Sequence, residues 1–191
     1  MNDGLDKLIT AIDPDGNLFP APKLKVHQEA THHVAISVFL YSKRGLLLQR
    51  RAPEKYHSGG LWANSCCSHP DWGEGIEECV RRRCFEELNL DVDAEQIGVL
   101  DYIADVGNGL VENERAYIFA GEISEKSSEV TPNPDEVSET RWASRNQLME
   151  ELAEHPERFT QWFKQYMSRD DDALVAVREK IWSRVENDYN L

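Results

Sequence analysis

The chain lacks the features that export, membrane insertion or disulfide stapling would require. It has four cysteines, Cys66, Cys67, Cys79 and Cys84, none in a CxxC spacing. Paired-cysteine zinc knuckles are disfavoured by that spacing. The opening stretch MNDGLDKLITAID carries acids where a signal peptide needs a basic start and an apolar run. The expected location is therefore the cytoplasm, where thiols stay reduced. Long apolar runs are also missing. The longest uncharged one, VAISVFLYS (34–42), is too short to span a bilayer, so no membrane partner is expected. Basic residues are scarce: 35 Asp and Glu outweigh 21 Lys and Arg, giving a formal charge of −14. A nucleic-acid partner is disfavoured, because phosphate backbones need a basic face. Any phosphate-bearing ligand must instead find local cations that offset the acidic field. Internal repeats and low-complexity tracts are absent as well.

What is present is an ordinary globular composition, 40% hydrophobic and 29% charged over 191 residues. One domain spanning 1–191 is expected, with a helical C-terminal part from about 145. Residues 5–12 read as a first strand, the turn-rich DPDGN follows, and 21–30 read as a loop or a short helical turn. HHVAISVFLYS, KRG and LLLQRR together predict a β-hairpin. LWANSCC (61–67) predicts a third strand. From Glu74 to Leu88, Ile76, Cys79, Val80, Cys84 and Leu88 recur at helical spacing, with Glu78 and Arg82 placed to pair. IGVLDYIADV (97–106) and ENERAYIFAGEI (112–123) predict two strands joined through GNGL, and ETRWAS (139–144) a last one. Helical patterns fill NQLMEELAEH, ERFTQWFKQYM and DDALVAVREKIWSRVE. The order predicts an α+β fold, a sheet core with helices packed on it.

Two segments carry chemistry. In NSCCSHP (64–70), paired thiols stand beside an imidazole, open to a zinc, disulfide, nucleophile or proton-donor role. Singly, Cys67 reads as a small buried hydrophobe, and Tyr102 and Trp162 as core aromatics. The second segment, SHPDWGEGIEECVRRRCFEELNL (68–90), resembles the Nudix box. Glu74, Arg82, Glu86 and Glu87 stand at its positions. Ser68 and Asn89 replace its glycines, and Arg83 stands where its Arg-Glu pair needs the Glu. Hydrolases with the intact box hold divalent metals on these carboxylates, so the lost Glu disfavours hydrolysis. Of the two late glutamates, Glu87 is the expected Mg2+ ligand.

NSCCSHP, VENE (111–114), LLLQRRA and HVAISVFL, with the degenerate box between the two site motifs, resemble type 1 isopentenyl-diphosphate delta-isomerases from about Lys23 to Trp162. That resemblance implies a Nudix fold with a mixed β-sheet. It implies interconversion of isopentenyl and dimethylallyl diphosphate by protonation and deprotonation through a tertiary carbocation. Cys67 and Glu114 align with its catalytic pair, and Tyr102 and Trp162 with its active-site aromatics. His27, His33 (or its neighbour His32), His69, Glu112 and Glu114 align with a metal set. Glu112 and Glu114, two apart on a strand, project from one face. Such a donor set suits one Mn2+, Mg2+ or Zn2+. Lys23, Arg51 and Lys55 align with diphosphate-binding positions, where a Mg2+ on Glu87 would bridge phosphate oxygens. No flavin is implied, the partner is a small isoprenoid diphosphate, and the expected state is a monomer or weak dimer. His57, His155, Cys79 and Cys84 are set aside as structural or surface residues. The competing readings are a Nudix diphosphohydrolase and a non-enzymatic metal- or redox-sensing module.

Overall fold

The computed structural model describes residues 6–123, 130–170 and 172–187. Leu5 of the first predicted strand and Asp171 of the last predicted helix lie outside these. A hairpin of β1 (Leu8–Ile12) and β2 (Leu18–Pro22) opens the fold. Its turn is held by Asp13, whose Oδ1 accepts the backbone N–H groups of Asp15 and Asn17 at 2.9 and 2.8 Å. A short helix, α1 (Lys23–Gln28), leads into β3 (His33–Ser42), which is buried over its whole length.

β3 is the central strand, and its largely apolar, wholly buried sequence fits that position. It pairs in parallel with β8 (Leu110–Glu122) from His33↔Glu114 to Tyr41↔Glu122. The predicted hairpin to β4 (Gly45–Arg51) exists only at its turn, through Tyr41↔Leu46 and Ser42↔Gly45. β4 then leaves to pair with β9 (Val137–Ala143).

The predicted strand 61–67 is broken in two. β5 (Trp62–Ala63) pairs with β4, and β6 (Cys66–Ser68) pairs with β3. Asn64 and Ser65 carry the chain across the gap. The Asn64 amide donates to Val38 O at 3.0 Å. The Ser65 hydroxyl donates to Leu47 O at 2.7 Å and accepts Leu40 N–H at 2.8 Å. Two short polar side chains thus satisfy backbone groups where the strands splay, and regular pairing stops there.

β7 (Glu95–Gly107) and β8 form the predicted hairpin. Its two-residue loop, Asn108-Gly109, has positive φ at both positions (56° and 72°), as a right-twisted hairpin requires. The outer edge of β7 is covered by side chains from α4 (Gln161–Ser168) and α5 (Asp172–Asn187). Gln165 donates to Ile103 O at 3.0 Å and Lys180 to Ile97 O at 2.8 Å.

Helices cover both faces of this mixed sheet. Ile36, Val38 and Leu40 turn to one side and meet Cys79, Val80, Cys84 and Leu88 of α2 (Ile76–Leu88). Ala35, Phe39 and Tyr41 turn to the other, toward α4, α5 and α3 (Arg145–Glu154). α2 starts at Ile76, later than the acidic run suggested, because Glu78 folds back to accept Gly75 N–H at 3.0 Å. Glu78 is thus not paired with Arg82. Arg82 is held in a fork by Glu74 at 2.6 and 2.7 Å and reaches Glu86 at 3.1 Å. Asn89 closes the helix at φ 55°, a left-handed conformation that Asn tolerates where Gly is usual. Among the described residues no helix is long and apolar enough to cross a membrane.

Candidate active site

Strand alternation separates the two adjacent thiols. Cys66 points into the core against α2 and is fully buried, while half-buried Cys67 faces a cleft on the opposite side of the sheet. All four cysteines are free thiols, which removes the disulfide reading. Cys67 Sγ donates to Asn64 Oδ1 at 3.0 Å and lies 3.4 Å from Ser37 Oγ, its cross-strand neighbour. Burial pushes its pKa up to about 12, against the lowering effect of those two contacts. The resting group is therefore a neutral thiol that holds a proton.

A second cluster stands on the cleft wall. His27 comes from α1, His33 from the start of β3, His69 from just after β6, and Glu114 from β8. Their candidate ligand atoms all lie within 4.8 Å of one another. The parallel register His33↔Glu114 sets two of them side by side. His27 Nδ1 donates to Lys23 O at 2.7 Å and His33 Nδ1 to Thr31 O at 2.8 Å. Those bonds fix the tautomer and leave each Nε2 with a bare lone pair. His27 Nε2 is buried with no hydrogen-bond partner. His33 Nε2 lies 3.2 Å from His69 Nε2, which is itself 3.0 Å from Glu114 Oε1. Three converging imidazole nitrogens beside a carboxylate, one of them left without any partner, fit a divalent cation. His32, the competing neighbour, faces Asp101 at 3.7 Å on the sheet surface, outside this group. Glu112 is not one of the four, yet it is joined to them. Tyr102 Oη donates to Glu114 Oε2 at 2.5 Å and lies 3.1 Å from Glu112 Oε2.

These surroundings set the charges. Burial lowers His27 to about 4 and His69 to about 3, so both imidazoles are neutral near pH 7. Burial and the Glu114 charge push Glu112 well above the usual carboxylate range. Burial opposes ionisation of Glu114 too, but the neighbouring His33 and His69 imidazoles hold it well below that range. Glu114 is an ionised carboxylate and Cys67 a protonated thiol in one cleft.

The same cleft takes in Lys23, Arg51, Lys55, Glu87, Tyr102 and Trp162. The structure brings together all twelve residues that the sequence singled out. Ten line the cleft, Glu112 among them, and His27 and His33 stand in the imidazole cluster on its wall. Glu87 is buried. Gln49 donates to its Oε2 at 2.9 Å and Arg83 to its Oε1 at 2.7 Å, which leaves further lone pairs on both oxygens. Glu86, in contrast, is exposed.

Five more residues line the cleft that the sequence did not flag as functional, Tyr56, His57, Ser68, Arg83 and Glu136. Arg83 joins Glu87 to Glu136, at 2.7 and 3.2 Å, so the position that breaks the Nudix pattern supplies a cation. Glu136 also binds Lys55 at 2.8 Å. His57, set aside as structural or surface, is buried in the cleft wall with Nε2 3.9 Å from Glu112 Oε1. The one available signal was its place two residues after Lys55, in a loop with two glycines.

The imidazole cluster makes a thermal prediction. Mn2+ or Zn2+ at a hundred times its Kd is expected to add about 2.7 kcal/mol of stability. Coordination needs neutral imidazoles, and the folded His27 and His69 pKa values are depressed. Their stabilising neutral forms are complete above about pH 6.5 and are lost as pH falls toward about 4 and 3. Differential scanning fluorimetry with and without metal checks this. A metal-induced rise in Tm that is as large at pH 4 as at pH 7 would contradict the assignment.

The pattern of the NUDIX domain family matches residues 31–163. A Cereibacter sphaeroides protein named isopentenyl-diphosphate Delta-isomerase is 48% identical over 158 residues, covering 81% of this chain and 87% of its own length. A Ruegeria pomeroyi protein of the same name is 45% identical over 163 residues, covering 85% and 90%. Among solved structures, a Deinococcus radiodurans protein superposes with a TM-score of 0.66 at 16% identity, covering 84% of this chain and 97% of its own, a likeness of fold. A MutT NUDIX hydrolase from Burkholderia pseudomallei gives 0.55 at 25% identity, covering 76% and 98%.

Proposed function

The chain belongs to the isopentenyl-diphosphate Delta-isomerase family of NUDIX-domain proteins, and from that premise we propose that its cleft transposes the double bond of isopentenyl diphosphate by two proton transfers. The Cys67 thiol gives its proton to the terminal methylene carbon. Positive charge develops on the adjacent tertiary carbon. The Glu114 carboxylate then takes a proton from the carbon on the diphosphate side, and the double bond re-forms there as dimethylallyl diphosphate. The observation that carries this reading is the convergence of the Cys67 thiol, the Glu114 carboxylate and the Trp162 ring on one cleft that Lys23, Arg51 and Lys55 also line.

Other residues support the transfer. Tyr102 orients Glu114 through the 2.5 Å hydrogen bond. The Trp162 ring stabilises the carbocation by cation–π attraction, and the buried aromatic walls exclude the water that would turn it into an alcohol. Lys23, Arg51 and Lys55 bind the diphosphate oxygens by charge-assisted hydrogen bonds. Glu87 would share a Mg2+ with the diphosphate and so offset its charge. His27, His33, His69 and Glu114, with Glu112 beside them, would hold one Mn2+, Mg2+ or Zn2+, which neutralises two neighbouring carboxylates and fixes their orientation. The free thiols support a reducing, cytoplasmic setting.

Incubation with isopentenyl diphosphate and Mg2+, followed by proton NMR, tests the reading. Accumulation of the dimethylallyl isomer is expected. Release of phosphate with no isomer formed would favour a diphosphohydrolase instead.

A further inference from the structure

Trp162 carries a polar atom that the protein leaves unsatisfied. The residue is 2% exposed and lines the cleft, and its indole Nε1 is buried with no hydrogen-bond partner. A buried donor without an acceptor is costly, and native proteins pair the large majority of them. A second donor close by is in the same condition. Arg51 Nε is buried and unpaired, on a guanidinium whose Cζ lies 5.3 Å from the Trp162 ring centroid. The other recorded bond of that guanidinium, from an Nη to His57 O at 3.3 Å, is long. Arg51 ends β4 and Trp162 sits in the first turn of α4, so no single local distortion of backbone explains both. His57 stands edge-on to the indole, with centroids 5.9 Å apart and planes at 84°, and offers it no acceptor.

Two unpaired N–H donors, one of them on a cation, share one cleft wall. They call for an acceptor rich in oxygen and negative charge. We propose that the Trp162 indole N–H and the Arg51 Nε–H donate to the same phosphoryl group of the bound diphosphate. Trp162 is then a substrate-binding donor as well as an aromatic wall. Its N–H carries no net charge, so it adds direction to binding without adding long-range attraction, and it ties the head of the substrate to the ring that faces the reacting carbons. The inference rests on reading the cleft as a diphosphate site.

Inorganic pyrophosphate with Mg2+ is the probe. With ¹⁵N-labelled tryptophan the chain gives five indole signals, and Trp162→Phe assigns the one that disappears. On titration the Trp162 indole proton is expected to shift downfield as it gains a phosphate acceptor. Trp162→Phe is expected to raise the pyrophosphate Kd, measured by calorimetry, roughly ten- to hundred-fold. The KM for isopentenyl diphosphate should rise with it, and kcat should fall by a smaller factor. A Trp162 indole signal that stays in place while pyrophosphate binds overturns the proposal, and if the variant misfolds, so does the failure of any of the five indole signals to move. So does a folded variant that binds pyrophosphate as tightly as the parent, or a parent that binds none. Isomer formation alongside an unmoved signal leaves the isomerase reading intact and removes only this one. A shifted signal with no isomer formed does the reverse.

Discussion

Cys67→Ala is expected to lower kcat for isopentenyl diphosphate by about a thousand-fold or more, within the range that positioned general acids supply. An alkene is a very weak base, so the first proton transfer is the step that most needs a placed acid. No other sulfur in the described structure can replace it. Cys66 is one residue away, but strand alternation turns it into the core, and Cys79 and Cys84 lie on the α2 side of the sheet. Cys66→Ala is accordingly expected to keep nearly full activity and to cost about 1 kcal/mol of stability through lost packing. Steady-state kinetics and thermal melts on the two variants separate the cases. Equal activity losses in both would favour a redox-sensing pair of thiols over one acid.

Glu114→Gln is expected to lose activity by at least a similar factor, about 10³-fold, for a different reason. The amide keeps the shape of the side chain but cannot take a proton from carbon. It also removes the one firmly ionised carboxylate from a cluster of two histidines and Tyr102. Divalent-metal affinity should fall in the same variant, read as a smaller metal-induced rise in Tm. A near-normal rate in folded Glu114→Gln protein would show that another group accepts the proton.

The local parts of this site were legible in the sequence because they follow short periods. Cys67 and His69 lie two apart on or just beyond one strand, as Glu112 and Glu114 do on another, so each pair shares a face. The helical face of Ile76, Cys79, Val80, Cys84 and Leu88 was equally plain. What local pattern cannot supply is the long-range pairing. The parallel register of β3 on β8 joins residues about 80 positions apart, and it is this register that sets His33 against Glu114. Choosing between His32 and His33 depended on it, since neighbours on a strand face opposite ways and the sequence does not say which face holds the cleft. The break at Asn64-Ser65 was hidden for a related reason. Its cause is the splaying of β3 from β4, and the residues that bridge the gap look like ordinary strand polar positions. Arg83 read as a missing acid. Only its contacts with Glu87 and Glu136 show it as a cation at the head of the cleft.

Isomerisation carried out in D2O, with the product read by proton and deuterium NMR, tests proton addition and elimination most directly. A thiol in exchange with solvent should deliver deuterium, so the dimethylallyl product should carry it in the methyl group formed from the terminal methylene carbon. Dimethylallyl diphosphate formed at the normal rate with no solvent deuterium at that methyl group would contradict the account, because the hydrogen would then have moved within the substrate without passing through Cys67.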